Sequence, residues 1–143
     1  MKRVVVGIIS RKNTEGVEQY LLVSSKKYFG IFTGYYYPPG GHLEEGEEEV
    51  ACLKRELKEE LGIEAKEWID LGLVDALTTI IKSPQRLFVA KKLKFGKANQ
   101  EDTESVKLVK IKLDQATQMV MNSKITHGPS CVLILKALQK VNK

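Results

Sequence analysis

Between Gly41 and Gly62 the chain concentrates its acid at one end of a segment and its grease along one side. Pro38-Pro39-Gly40-Gly41 stops any regular element. Glu44-Glu45-Gly46-Glu47-Glu48-Glu49 then loads negative charge where the start of a helix favours it. Val50, Leu53, Leu57 and Leu61 recur at helical spacing, and Gly62 fits a C-terminal cap. This segment predicts one strong helix with a buried stripe, which the rest of the chain must cover.

The flanking sequence reads mostly as strands. Arg3 to Ser10 is rich in Val and Ile, Asn13 to Gly16 is a turn, and Gln19 to Ser24 returns as the second arm of a hairpin. Lys26 to Gly34 reads as a loop, with a brief extension at Tyr35-Tyr36-Tyr37. Two strands are expected over Asp70 to Ile81 and Arg86 to Phe95, and another over Ser105 to Leu113 after a polar loop from Gly96 to Thr103. Asp114 is read as the cap of a short helix through Met121. Pro129 opens a last helix, whose inner side is expected to carry Val132, Leu135, Leu138 and Val141. Strands followed by helices, with one helix set among the strands, predict an α/β (α+β) fold in which a mixed sheet lies between helices. With 143 residues and no repeats or linker, one domain over 1–143 is expected.

A hydrophobic fraction of 43% fills a core, and no apolar run reaches the ~20 residues of a membrane span. Val4 to Ile9 is too short for the core of a signal peptide. Cys52 and Cys131 have no metal-clip spacing and read as reduced thiols, so the cytoplasm is the expected compartment. The formal charge of +5 is spread along the chain, and Lys91-Lys92-Leu93-Lys94 reads as a strand with a wet face. A nucleic-acid partner is therefore not expected, and a general attraction for small polyanions is.

Glu56, Glu59 and Glu60 stand at i, i+3 and i+4, within one arc of the central helix. On the helix alone, a solvated acidic face explains them as well as a metal site does. The wider spacing separates the two readings. Five residues lie between Gly41 and Glu47, and seven between Glu47 and Arg55-Glu56-Leu57; Lys58, Glu59-Glu60, Leu61, Gly62 and Ile63 follow. This pattern resembles the Nudix box, G-x5-E-x7-R-E-U-x-E-E-x-G-U with U aliphatic, at every specified position. Seven fixed residues at ~7% usage would coincide on the order of once in a hundred million starts. Pro39-Gly40-Gly41-His42-Leu43-Glu44 also resembles the segment that enters the box, and Tyr36 falls where the family usually has Trp.

The resemblance implies a Nudix α/β/α sandwich and hydrolysis of a pyrophosphate by water with Mg²⁺ or Mn²⁺. It implies Glu56, Glu59, Glu60 and the Gly40 carbonyl as metal ligands, with Glu56, Glu59 and Arg55 in the catalytic set. Arg55 and Glu47 match a pair that braces the loop, and Gly41 supports the bend. For a proton-accepting base in a later loop the candidates are Glu104, then Asp102, with Glu101 beside them. Tyr36, His42 and Asp102 are candidates for contact with a nucleotide substrate.

Leu87-Phe88-Val89-Ala90, the acidic loop with Glu104, and Ser123-Lys124-Ile125-Thr126 before an apolar helix are similar to the tail of ADP-ribose pyrophosphatases. ADP-ribose or a nucleotide sugar is thus the favoured substrate type. A nucleoside triphosphate or dinucleotide polyphosphate hydrolase, with Phe32, Tyr35, Tyr36 and Tyr37 as a stacking surface, stays open. So do a non-catalytic nucleotide sensor and a homodimeric state.

Overall fold

A computed structural model describes residues 4–25, 35–76, 79–80, 82–99 and 106–141. In chain order the elements are β1 (Val4–Lys12), β2 (Glu18–Ser25), β3 (Tyr35–Tyr37), β4 (Gly40–His42), α1 (Glu49–Leu61) and β5 (Ile63–Asp75). Then come β6 (Pro84–Phe95), β7 (Val106–Lys112), α2 (Leu113–Met121) and α3 (Gly128–Val141).

The expected hairpin forms because Asn13 organises its turn. Its side-chain oxygen accepts the backbone N–H groups of Glu15 at 3.0 Å and Val17 at 2.9 Å. Ile9 is thereby set opposite Leu21, and Arg11 opposite Gln19. Among the described residues the sheet has seven strands along the path β3-β2-β1-β6-β5, with β4 pairing β1 and β7 pairing β2. β1 and β6 run parallel and the other pairings are antiparallel, so the sheet is mixed as expected.

Alternation along the strands gives the sheet two apolar faces. On one face Tyr20, Leu22, Leu87 and Val89 pack with Leu113 and Ala116 of α2 and with Leu133, Ile134 and Ala137 of α3. On the other face Leu21 packs with Leu57 and Ile63, and Phe88 with Cys52 and Leu53 of α1. Helices therefore cover both faces. Each fully buried leucine contributes about 1.5–3 kcal/mol of apolar burial, so α1 is fixed to the sheet by its Leu53 and Leu57.

Three expectations change. The strand expected to begin at Asp70 begins at Ile63, directly after α1, and ends at Asp75. Glu64 and Glu67 disguised it, but Glu64 pairs with Lys58 at 2.9 Å and Glu67 with Lys92 at 3.2 Å while Ile63 turns inward. The glycine bend is also not wholly irregular, since Gly40–His42 adds to β1 opposite Val4–Val6. Lastly, the inner side of α3 is carried by Ser130, Leu133, Ile134 and Ala137. Val132 and Leu138 flank it, and Leu135 is 41% exposed. In a helix apolar nearly all round, several stripes have the same period, and packing selects among them.

Candidate active site

The box occupies the turn before α1, α1 itself and the first residue of β5. Glu44 and Glu47 fold the turn back on itself. The Glu47 N–H donates to the Glu44 carbonyl at 3.1 Å, and the Glu44 N–H donates to Glu47 Oε2 at 3.0 Å. Glu47 is thereby aimed at α1, where Arg55 meets it with two parallel bonds, Nε to Oε1 at 2.9 Å and Nη2 to Oε2 at 3.0 Å.

The same guanidinium reaches further partners, Cys52 Sγ at 3.7 Å among them. Nη2 donates to the His42 carbonyl at 3.2 Å, Nη1 donates to Glu56 Oε1 at 2.8 Å, and Nη1 lies 3.8 Å from Glu59 Oε2. Arg55 thus ties the turn, β4 and the acidic face of α1 to one rigid fork, which a lysine cannot imitate. Electrostatics follow the geometry. The hydrogen bonds from Arg55 hold the Glu47 carboxyl down at about 2, and Arg55 in turn keeps its proton more firmly than usual.

Gly41 stands against the carboxylate of Glu56. A Cβ added at Gly41 would lie 2.3 Å from Glu56 Cδ and 2.4 Å from Oε1. Only glycine leaves room for a carboxylate beside the bend. Glu56 is consequently tucked in, with a side chain 17% exposed against 56% for Glu59; Glu60 is half-buried. Gly40 is half-buried in β4 opposite Val6, one residue from this contact.

The other candidates lie as follows. His42 is exposed, and its backbone carbonyl is the part that joins the network. Tyr36 sits in β3 opposite Ser24. Glu101, Asp102, Glu104 and Phe32 lie outside the described residues. One participant was not singled out from the sequence. The Cys52 thiol, fully buried, donates to the same His42 carbonyl at 3.3 Å, and its burial pushes its pKa up to about 12. Its position three residues before Arg55 on the helix is the sign that would have pointed to it. Both cysteines are free thiols.

Carboxylate oxygens on one helical arc, beside a glycine cradle, are the donors a hard divalent cation takes. Among the described residues no three acidic, histidine or cysteine side chains converge into a ready-made ligand set. The donors fit such an ion in kind and in their place beside the bend, and the chain alone leaves the set unclosed.

The comparisons with known proteins agree with this arrangement. The family model of the NUDIX domain matches residues 1–123. The chain belongs to the Nudix family. It is accordingly a Nudix hydrolase acting on pyrophosphate bonds, in a family that generally uses divalent metal ions. It is 29% identical over 139 residues to the methanol dehydrogenase activator of Bacillus methanolicus, covering 91% of this chain and 68% of that protein. It is 41% identical over 58 residues to the m7GpppN-mRNA hydrolase NUDT17 of Xenopus laevis, covering 39% of this chain and spanning only 20% of that protein. Among solved structures, an ADP compounds hydrolase superposes with a TM-score of 0.85 at 16% identity, covering 99% of this chain and 73% of that one. The NUDIX domain of Shewanella oneidensis NrtR, complexed with ADP ribose, gives 0.70 at 19% identity over 96% of this chain and 86% of that one. At these identities the structural likenesses establish the Nudix fold. No helix among the described residues is long and apolar enough to cross a membrane.

Proposed function

We propose that this Nudix hydrolase is a metal-dependent enzyme of the cytoplasm that cleaves the phosphoanhydride of a nucleoside diphosphate linked to another group, ADP-ribose or a nucleotide sugar, with all 143 residues forming one domain. The observation that carries the reading is the Glu56 carboxylate, seated against Gly41 and held by Arg55. Like charges at i, i+3 and i+4 repel one another, and a shared divalent cation would turn that repulsion into coordination. The close superposition on an ADP compounds hydrolase supports the substrate class.

Glu56, Glu59, Glu60 and the Gly40 carbonyl would hold the ion, Mg²⁺ or Mn²⁺. When bound, it neutralises pyrophosphate oxygens and makes water acidic enough to lose its proton near neutral pH. Glu104 is the proposed acceptor of that proton, ahead of Asp102. Arg55 and Glu47 keep the bend and the helix in register, and Tyr36 and His42 are proposed to line the nucleotide. Attack by water at one phosphorus breaks the anhydride, leaving a nucleotide and a phosphorylated partner.

A nucleoside triphosphate hydrolase is the second reading. Incubation with Mg²⁺ or Mn²⁺ and a panel of ADP-ribose, nucleotide sugars, triphosphates and dinucleotide polyphosphates, with products identified by mass, separates the two. ADP-ribose is expected to give AMP and ribose phosphate, and Glu104→Gln to slow this more than Glu101→Gln. Inactivity across the whole panel would leave a nucleotide sensor in its place.

A further inference from the structure

The longest basic stretch of the sequence, Lys91-Lys92-Leu93-Lys94, is partly neutralised by the fold. Lys92 pairs with Glu67 at 3.2 Å, and Lys94 stands opposite Glu64 on β5. Among the described residues, a second group of cations without acidic partners is assembled from β1 and β7. Register places Arg11 beside Gln19 and Gln19 beside Lys112, in one row across β1, β2 and β7. Two residues along, Ile9, Leu21 and Lys110 form a parallel row. Alternation puts Arg11, Gln19, Lys110 and Lys112 on the face where Leu21 meets Leu57 of α1.

Lys110 and Lys112 are exposed, and Arg11 is half-exposed. Phe95, 42% exposed, gathers two of them: Arg11 Cζ lies 5.1 Å and Lys110 Nζ 5.5 Å from its ring centroid. Among the described residues, Arg11, Lys110 and Lys112 make no ion pair with an acid. Three cations and an exposed ring on one sheet face make a surface complementary to a chain of phosphates carrying flat bases. The surface borders the far end of the box, where Phe95 pairs with Ile63, and is set well away from the glycine bend. Val5 lies opposite Gly41, and Arg11 is further along the same strand by six residues, roughly 20 Å at ~3.3 Å per residue.

We propose that the face formed by Arg11, Phe95, Lys110 and Lys112 is a docking surface for single-stranded nucleic acid, separate from the hydrolase site. In the sequence only Lys110 and Lys112 stand close together, and Arg11 and Phe95 join them from other strands. The test is fluorescence anisotropy of a labelled oligothymidine with the full chain, at low salt and in EDTA so that nothing is hydrolysed. Arg11→Gln with Lys110→Gln is expected to weaken binding at least ~10-fold and to flatten the dependence of log Kd on log salt by about 1.4, at ~0.7 per lost phosphate contact. Phe95→Leu, which keeps the bulk and removes the ring, is expected to weaken binding several-fold. Lys124→Gln with Lys140→Gln, an equal loss of charge elsewhere on the surface, is expected to stay within about twofold of the parent. Melting curves on each variant establish that it is folded. Equal losses in the two double variants, or no binding by the parent, would overturn the proposal. So would a Phe95→Leu protein that binds normally while inorganic polyphosphate of equal charge competes as well as the oligonucleotide, since that is attraction for any polyanion.

Discussion

Arg55 is bonded to Glu47, to Glu56 and to the His42 carbonyl, and each partner carries its own consequence. Glu47 titrates at about 2 in the fold against an ordinary 4.5, because Arg55 favours its charged form. A carboxyl whose pKa is depressed by folding adds stability that is fully present above 4.5 and fades as pH falls towards 2. Glu47→Gln lacks that contribution at every pH. Urea melts should therefore show a gap between parent and variant at neutral pH that closes over this acid window. A gap that persisted below it would mean Glu47 acts through packing alone.

Gly41 is tested differently. A methyl there collides with the end of a flexible side chain, so the fold can yield by moving the Glu56 carboxylate. Gly41→Ala should keep its stability within about 1 kcal/mol. Its kcat/KM should fall on the order of 100-fold, the usual effect of displacing a reacting group by about 1 Å. At this scale the glutamates and Arg55 were legible, since a motif is a spacing and spacing is what a sequence records. The convergence of Cys52 and Arg55 on the His42 carbonyl was not, because backbone acceptors carry no side-chain signature.

Among the elements, α1 was plain from its acid-rich start, apolar stripe and terminal glycine, and it spans Glu49–Leu61. Gly62 takes φ 66°, and its N–H caps the carbonyls of Leu57 and Lys58. A Cβ there would lie 2.5 Å from the Gly96 carbonyl oxygen and 2.6 Å from the Lys97 carbonyl carbon, both of them backbone. Gly62→Ala therefore meets left-handed strain and an unyielding neighbour together. It should cost about 2 kcal/mol or more in denaturant unfolding, with activity falling in step. β5 and the inner face of α3 were misjudged for one shared reason. Periodicity states which residues lie on the same side, but what that side meets depends on partners far along the chain. Lys94 opposite Glu64 and Leu71 beneath Lys136 are such partners, the latter accepting from Lys136 Nζ at 2.8 Å.

For the molecule as a whole, the class of fold was legible as a mixed sheet between helices, whereas the parallel pairing of β1 with β6 came only from the structure. That pairing joins strands from opposite halves of the chain and brings β1, which carries β4 and its bend, into the middle of the sheet. If the acidic face of α1 holds an ion, the folded protein should gain stability from it by mass action, about 2.7 kcal/mol at a hundredfold excess over Kd. Mg²⁺ or Mn²⁺ should raise the melting temperature by several degrees, EDTA should reverse the gain, and Glu60→Gln should abolish it and lower turnover at least ~100-fold. A variant melting and turning over like the parent would place the ion elsewhere.

The join between α1 and β5 has its own consequence. One glycine separates the helix from a strand thirteen residues long and antiparallel to β6 for most of its length. There is no slack in which the helix can slide or tilt without dragging the sheet along. Whatever adjustment a bulkier or slimmer guest demands must be made by other parts of the chain. In such an architecture the helix is welded to the frame, and any refitting falls to the segments around it.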